Sequence, residues 1–115
     1  MLPLLVATDG AIAAFGEDHR RLRPNIVVGG VDGLTERSWP GRRLRIGDVV
    51  IGLDSLRGRC IMTTFHPDTL EQDANVLRRI RREFGGKLAL NAWVEAPGTI
   101  RLGQAVELLD GGATS

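Results

Sequence analysis

Arg57-Gly58-Arg59-Cys60-Ile61-Met62-Thr63-Thr64-Phe65-His66-Pro67-Asp68-Thr69 holds the only cysteine of the chain, with two arginines before it and a Pro-Asp-Thr turn after it. Read as a strand, its alternation places Arg59, Ile61 and Thr63 on one face and Cys60, Met62 and Thr64 on the other. The thiol then projects near a strand start, where a loop can open to solvent. Flanking cations favour a thiolate, the form that attacks electrophiles and binds metals. A lone cysteine is equally a small buried hydrophobe, and two arginines are equally a solvated strand end. On these residues both readings stand.

The main helix comes after this strand. Asp68 with Glu71, or Thr69 with Gln72, has the spacing of a helix cap and its reciprocal partner. Leu70, Ala74, Leu77, Ile80 and Phe84 then recur at helical spacing as one apolar stripe. Arg78, Arg79, Arg81 and Arg82 fill the other side as a solvated face, and Gly85-Gly86 ends the helix.

Upstream, Leu4 to Thr8 reads as a strand, Asp9-Gly10 as a turn, and Ala11 to Phe15 as either strand or helix. Pro24 bars helix at Arg23, so the next strand has its body at Ile26 to Val28. Arg20, Arg21 and Arg23 at its mouth suit an anion site or plain solvated surface. Gly29 to Gly33 is a loop, read as mobile, and the Trp39 indole is placed over one barrel end. Leu44 to Leu53 carries a strand, a glycine bend and a strand; Ile100-Arg101-Leu102-Gly103 repeats the phrase, which suggests a second corner of one curved sheet. Lys87 to Val94 is a further strand and Pro97-Gly98 a turn. Many short strands with one main helix make a mainly β, α+β fold, a curved barrel with a helical insert.

Length bounds the rest: 115 residues make one domain. A net charge of +1 argues against a general nucleic-acid binder. No apolar run reaches a membrane span and Met1 to Val6 lacks a basic leader, so neither a membrane span nor a signal peptide is expected. A single cysteine fits a reducing, cytoplasmic setting. Fourteen arginines against one lysine, Lys87, suit phosphate or carboxylate, and a coding bias gives the same count. One cysteine with His19 and His66 cannot close a tetrahedral zinc site. No phosphate loop or dinucleotide fingerprint occurs. On a strand His66 would lie about 20 Å from Cys60, too far for a catalytic pair.

Taken together, Arg21-Leu22-Arg23-Pro24-Asn25-Ile26-Val27, Trp39, Ile46-Gly47-Asp48-Val49, Arg59-Cys60-Ile61-Met62-Thr63-Thr64, Pro67-Asp68-Thr69 and Gly98-Thr99-Ile100-Arg101-Leu102-Gly103 resemble a MOSC domain. The match runs from about Arg20 to Leu109 within a single MOSC-like domain spanning 1–115. The resemblance implies a MOSC-like β-barrel, here shortened at its N-terminus, that binds a molybdenum–pterin cofactor (molybdopterin). It assigns Cys60 as catalytic thiolate ligand to the metal, a soft donor suited to it. Arg23, Asn25 and Arg59 are assigned to the pterin and its phosphate, which arginine holds with charged bonds. Thr63, Thr64 and Asp68 are assigned to bracing the loop and capping the helix. The sequence departs from the family pattern at His66, Leu70, Gln104 and Arg37.

The implied activity is reduction of N-oxygenated compounds, with electrons from a separate donor protein. The alternatives are a non-catalytic cofactor carrier or sulfur relay through a Cys60 persulfide, and a shortened remnant without cofactor. Neither a pyridoxal phosphate nor an iron–sulfur site is present in the sequence. A barrel beginning at Leu4 is expected to leave its first edge open, and hence to form a homodimer through the N-terminal strand.

Overall fold

The computed structural model describes residues 4–59 and 61–109, and of Ile61 and Met62 the backbone alone. Strand β1, Leu4–Thr8, runs directly into helix α1, Asp9–Phe15. The Thr8 hydroxyl accepts from the Ala11 amide, and Gly16 closes the helix at φ 75° with its amide on the Ile12 carbonyl. The expected Asp9-Gly10 turn is therefore the first turn of a helix. Gly10 is required there, because a Cβ would stand 2.2 Å from the Val31 carbonyl oxygen.

Strands β2 (Ile26–Val28), β3 (Arg43–Ile46), β4 (Val49–Gly58), β5 (Lys87–Ala96) and β6 (Glu107–Leu109) complete a sheet in the order β2-β1-β5-β4-β3-β6. The sheet curls into half a barrel. β1 pairs parallel with β2 and antiparallel with β5, so the N-terminal strand lies inside the sheet. The open edge expected there is instead divided between β2 and β6, each only three residues long. A second copy has no free edge of β1 to pair with.

β3 and β4 form a hairpin through Gly47-Asp48, with Gly47 at φ 62°. The matching phrase at Ile100 to Gly103 does not form a second corner. It lies outside the strands, and Leu102 is fully exposed. Among the described residues after Gly103, Glu107–Leu109 returns to pair with β3.

The hollow of the sheet is filled by Val6, Val28, Leu44, Ile46, Val49, Ile51, Leu53, Leu90 and Ala92, with Trp39 buried among them. Helix α2, Ala74–Phe84, covers the outer side together with α1. Phe15, Leu22, Val76, Ile80, Phe84 and Leu88 pack in that layer. Leu77, Ile80 and Phe84 are buried as their spacing predicts. Leu70 is not part of the stripe: it precedes the helix and is 69% exposed. The N-cap is Asp73, whose carboxylate accepts from the Asn75 amide, and not Asp68 or Thr69. Ala89 sits at φ 69° within β5. That bulge reverses the strand's parity: Leu88 faces the helices and Leu90, two residues on, faces the barrel.

Two residues before Trp39 tie the layers together. Arg37 donates to the carbonyls of Phe84 and Lys87, both at 2.9 Å, and so fastens the end of α2 and the start of β5. Glu36 is fully buried; one oxygen accepts from the Thr8 hydroxyl at 2.8 Å and its amide at 3.1 Å. Burial holds its carboxyl above the usual range, against the opposing pull of those Thr8 bonds. The Gly29 to Gly33 loop, read as mobile, is pinned: the Asp9 carboxylate accepts from the amides of Gly30 at 2.7 Å and Val31 at 2.8 Å.

Candidate functional site

Strand β4 ends at Gly58, and Ile61–Thr64 form a 3-10 turn. The alternation drawn through Arg59 to Thr64 therefore does not hold, and neither does the strand spacing between Cys60 and His66. Cys60 itself lies outside the described residues. The chain on both sides of it is fixed. The Arg59 amide donates to the Gly86 carbonyl at 2.9 Å, and its guanidinium donates to the Leu22 carbonyl. Beyond the cysteine, buried Arg21 donates to the carbonyls of Thr63 at 3.3 Å and Thr64 at 2.9 Å. Thr63 and Thr64 are themselves buried. The Thr64 carbonyl also accepts from the Asp73 amide at 2.8 Å, and Arg21 adds a charged donor to the turn.

The three arginines before β2 have three different fates. Arg20 is exposed and forks between acids, with a bidentate contact to Asp68 at 2.9 Å and bonds to Asp18. Arg20 draws both carboxyls below the ordinary range. Arg21 is buried as the clamp on Thr63 and Thr64. Arg23 is exposed and sits at φ 57°; its backbone amide donates to the Arg20 carbonyl at 3.2 Å, and its guanidinium has no hydrogen bond or ion pair among the described residues. The anion site expected of all three thus reduces to one available guanidinium. Pro24 holds φ and removes an amide, and the left-handed turn at Arg23 lets the chain enter β2.

Arg23 lines a cavity of about 260 Å³ with Arg20, Arg21, Phe65, His66, Pro67 and Leu70. Leu70, like Arg23, is left-handed, at φ 60°. Because Arg59 bonds the residue before Arg23, these two predicted site residues are brought to one place. Asn25 is not in that cavity. Its side-chain oxygen accepts from the Leu5 amide at 2.8 Å, and its backbone N–H donates to the Leu5 carbonyl at 2.9 Å. It borders an apolar opening of about 310 Å³ with Leu4, Ile26, Val49, Ile51 and Ile100. Arg57, read as a second cation beside the thiol, is turned onto the Asn91 side chain.

Sequence reasoning missed the buried role of Arg21, since nothing local separates it from Arg20 and Arg23. It also missed His66, whose ring bonds the backbone of its own turn. The adjoining Pro-Asp-Thr was the available signal, because such turns need an acceptor at their start.

The sequence profile of the MOSC domain matches residues 10–107. Among curated proteins, the chain is similar to human "Mitochondrial amidoxime-reducing component 1": 32% identical over 126 residues, 93% of this chain and 37% of that protein. It is also similar to "Molybdenum cofactor sulfurase 2" of Culex quinquefasciatus, 34% identical over 74 residues, 64% of this chain and 10% of that one. The chain thus spans well under half the length of these relatives. Among solved structures, the YuaD protein from Bacillus subtilis superposes with a TM-score of 0.68 at 18% identity, over 93% of this chain and 63% of that one. That likeness is one of fold.

Proposed function

Because the chain belongs to the MOSC domain family, we propose that it binds a molybdenum–pterin cofactor with Cys60 as thiolate ligand and reduces N-oxygenated compounds using electrons from a separate protein. The observation that carries this reading is the double clamp around position 60. Arg59 fastens the chain just before it to Leu22 and Gly86, and Arg21 fastens the chain just after it. A metal ligand needs this kind of support, since its sulfur has to be held in place before the metal arrives.

The residues present fit the group. Arg23 offers a guanidinium without a protein partner among the described residues, suited to a phosphate. Asn25 spends its oxygen on β1 and keeps its amide donors for a heterocycle. When bound, the cofactor supplies a redox centre whose reduction of an N–O bond takes up electrons and protons and releases water. The chain's own part is to bind and orient. Cys60 donates sulfur, Arg59 and Arg21 hold the segment that bears it, and Arg23 fixes charge at the edge. Reading the three residues on one group requires it to reach from the Arg23 cavity to the opening that Asn25 borders.

The test is metal and pterin analysis of protein made in a cofactor-competent host, with reductase turnover on an N-hydroxylated amidine. Wild type should hold molybdenum and turn over, and Cys60→Ser should lose both while keeping the fold intact. Full activity with bound metal in the serine variant sinks the ligand assignment. The similarity to a sulfurase favours one second reading, a carrier or sulfur relay. Bound cofactor without turnover, and a Cys60 persulfide detected by mass, would select it.

A further inference from the structure

The wall of the Arg23 cavity is built on an imidazole. His66 Nδ1 accepts from the Asp68 amide at 3.1 Å and the Thr69 amide at 3.3 Å. The turn is closed around it: the His66 amide donates to the Glu71 carbonyl at 2.8 Å, and the Leu70 amide to the His66 carbonyl at 2.9 Å. Its last corner is the left-handed Leu70, a conformation an ordinary side chain adopts only when its surroundings impose it. Carboxylates or amides usually cap such turns, and they accept hydrogen bonds over a wide pH range. An imidazole accepts at Nδ1 only when neutral, with its proton on Nε2. Protonation would set a third N–H donor against two backbone N–H groups.

We propose that His66 is the positioning residue of this wall and holds it only in the neutral Nε2–H form, so that the wall facing Arg23 loosens on acidification. Arg20, Arg21 and Arg23 line the same cavity as the ring. Asp68 and the exposed Glu71 lie on its own turn, with Asp18 on the other side of Arg20. The effect reaches beyond the ring, because the turn presents Asp68 to the Arg20 fork. No part of this requires the cofactor, so it stands or falls separately from the molybdenum reading.

The unmodified, nitrogen-15-labelled chain is followed by NMR from about pH 7.5 to about pH 5, spanning ordinary imidazole titration. At the upper end the ring should show Nδ1 unprotonated. As it titrates, hydrogen-exchange protection of the Asp68 and Thr69 amides, corrected for intrinsic rate, should fall about tenfold. His66→Asp, whose acceptor persists through this window, should keep protection constant. His66→Ala should lack it throughout, with the amides of β4 unchanged. An Nδ1–H tautomer at the upper end, or wild-type protection that stays flat while the ring titrates, overturns the proposal. So does a His66→Asp variant that loses protection over the same window.

Discussion

The hairpin Arg43–Gly58 and the stretch Arg59–Asp73 adjoin in the chain and are built by opposite means. The hairpin rests on ladder hydrogen bonds and on Leu44, Ile46, Val49, Ile51 and Leu53 buried in the barrel. Its shape is specified by its own alternation. The stretch after it has few ladder bonds, an isolated Phe65–Gln72 bridge among them. Beside local backbone bonds such as His66 to Glu71, side chains that reach backbone hold it: Arg21 on Thr63 and Thr64, His66 on Asp68 and Thr69, with Arg20 on the Asp68 carboxylate besides. Burial of apolar side chains specifies the first region. Polar bonds to charged and titratable groups make the second well defined in shape and responsive to its surroundings.

The sharpest way to break the contrast is in the hairpin. Leu53→Ala empties a fully buried barrel position and should cost about 2–5 kcal/mol, read from denaturant unfolding. A loss below about 1 kcal/mol, on the scale of a surface change, would mean the barrel repacks freely. Next comes Arg21→Ala, which removes a charged donor from the Thr63 and Thr64 carbonyls. We expect about 1–3 kcal/mol, with amide exchange rising first at 61–66 and not in β4. Uniform destabilisation would show Arg21 to be an ordinary core residue.

Glu36 supplies a pH test. Its native carboxyl titrates above the unfolded value of 4.5 because it is buried. Its contribution is therefore fully present below that value and is lost as pH rises through the raised native one. Glu36→Gln keeps an acceptor for Thr8 without the charge, so it should gain on wild type steadily as pH rises. Parallel stability curves for the two would refute the assignment.

Leu70→Gly removes a left-handed side chain that is exposed, and should raise stability by less than about 1 kcal/mol. A clear loss would show that the leucine packs on a partner or ligand. The smallest effect is expected of Asp68→Asn, an exposed pair with Arg20. Arg20 lowers the Asp68 carboxyl, so the pair's contribution is present above 3.8 and fades as pH falls through the native value. A salt-insensitive, pH-independent change in melting temperature would mean that the pair does not form in solution.

The legible parts of the molecule are those where apolar spacing decides. Leu4 to Thr8, Ile26 to Val28, the Leu44 to Leu53 hairpin, the Lys87 strand and the Leu77-Ile80-Phe84 stripe all follow from it. Helix α1 had readable caps in Thr8 and Gly16, but Gly10 near its start speaks against a helix until the close approach to Val31 is known. The site was legible as composition only. Asp68-x-x-Glu71 satisfies the cap pattern, yet the cap is Asp73, because His66 and Leu70 absorb the intervening residues in a separate turn. The Asp68 partner of Arg20 and the Thr63 partner of Arg21 lie 48 and 42 residues away, which no local pattern reports.

The bulge at Ala89 has a consequence for how the molecule comes apart. A strand whose side chains all faced one layer could stay in place while the other layer left. β5 cannot, because Leu88 belongs to the helices and Leu90 to the barrel, with one left-handed residue between them. Peeling α2 away pulls on the same backbone that closes the barrel wall, so the layers form one cooperative unit and not two foldons. Amides of Leu88 and Leu90 should then exchange only through global opening and with the same free energy. Two distinct values there would show that the helical layer can leave by itself.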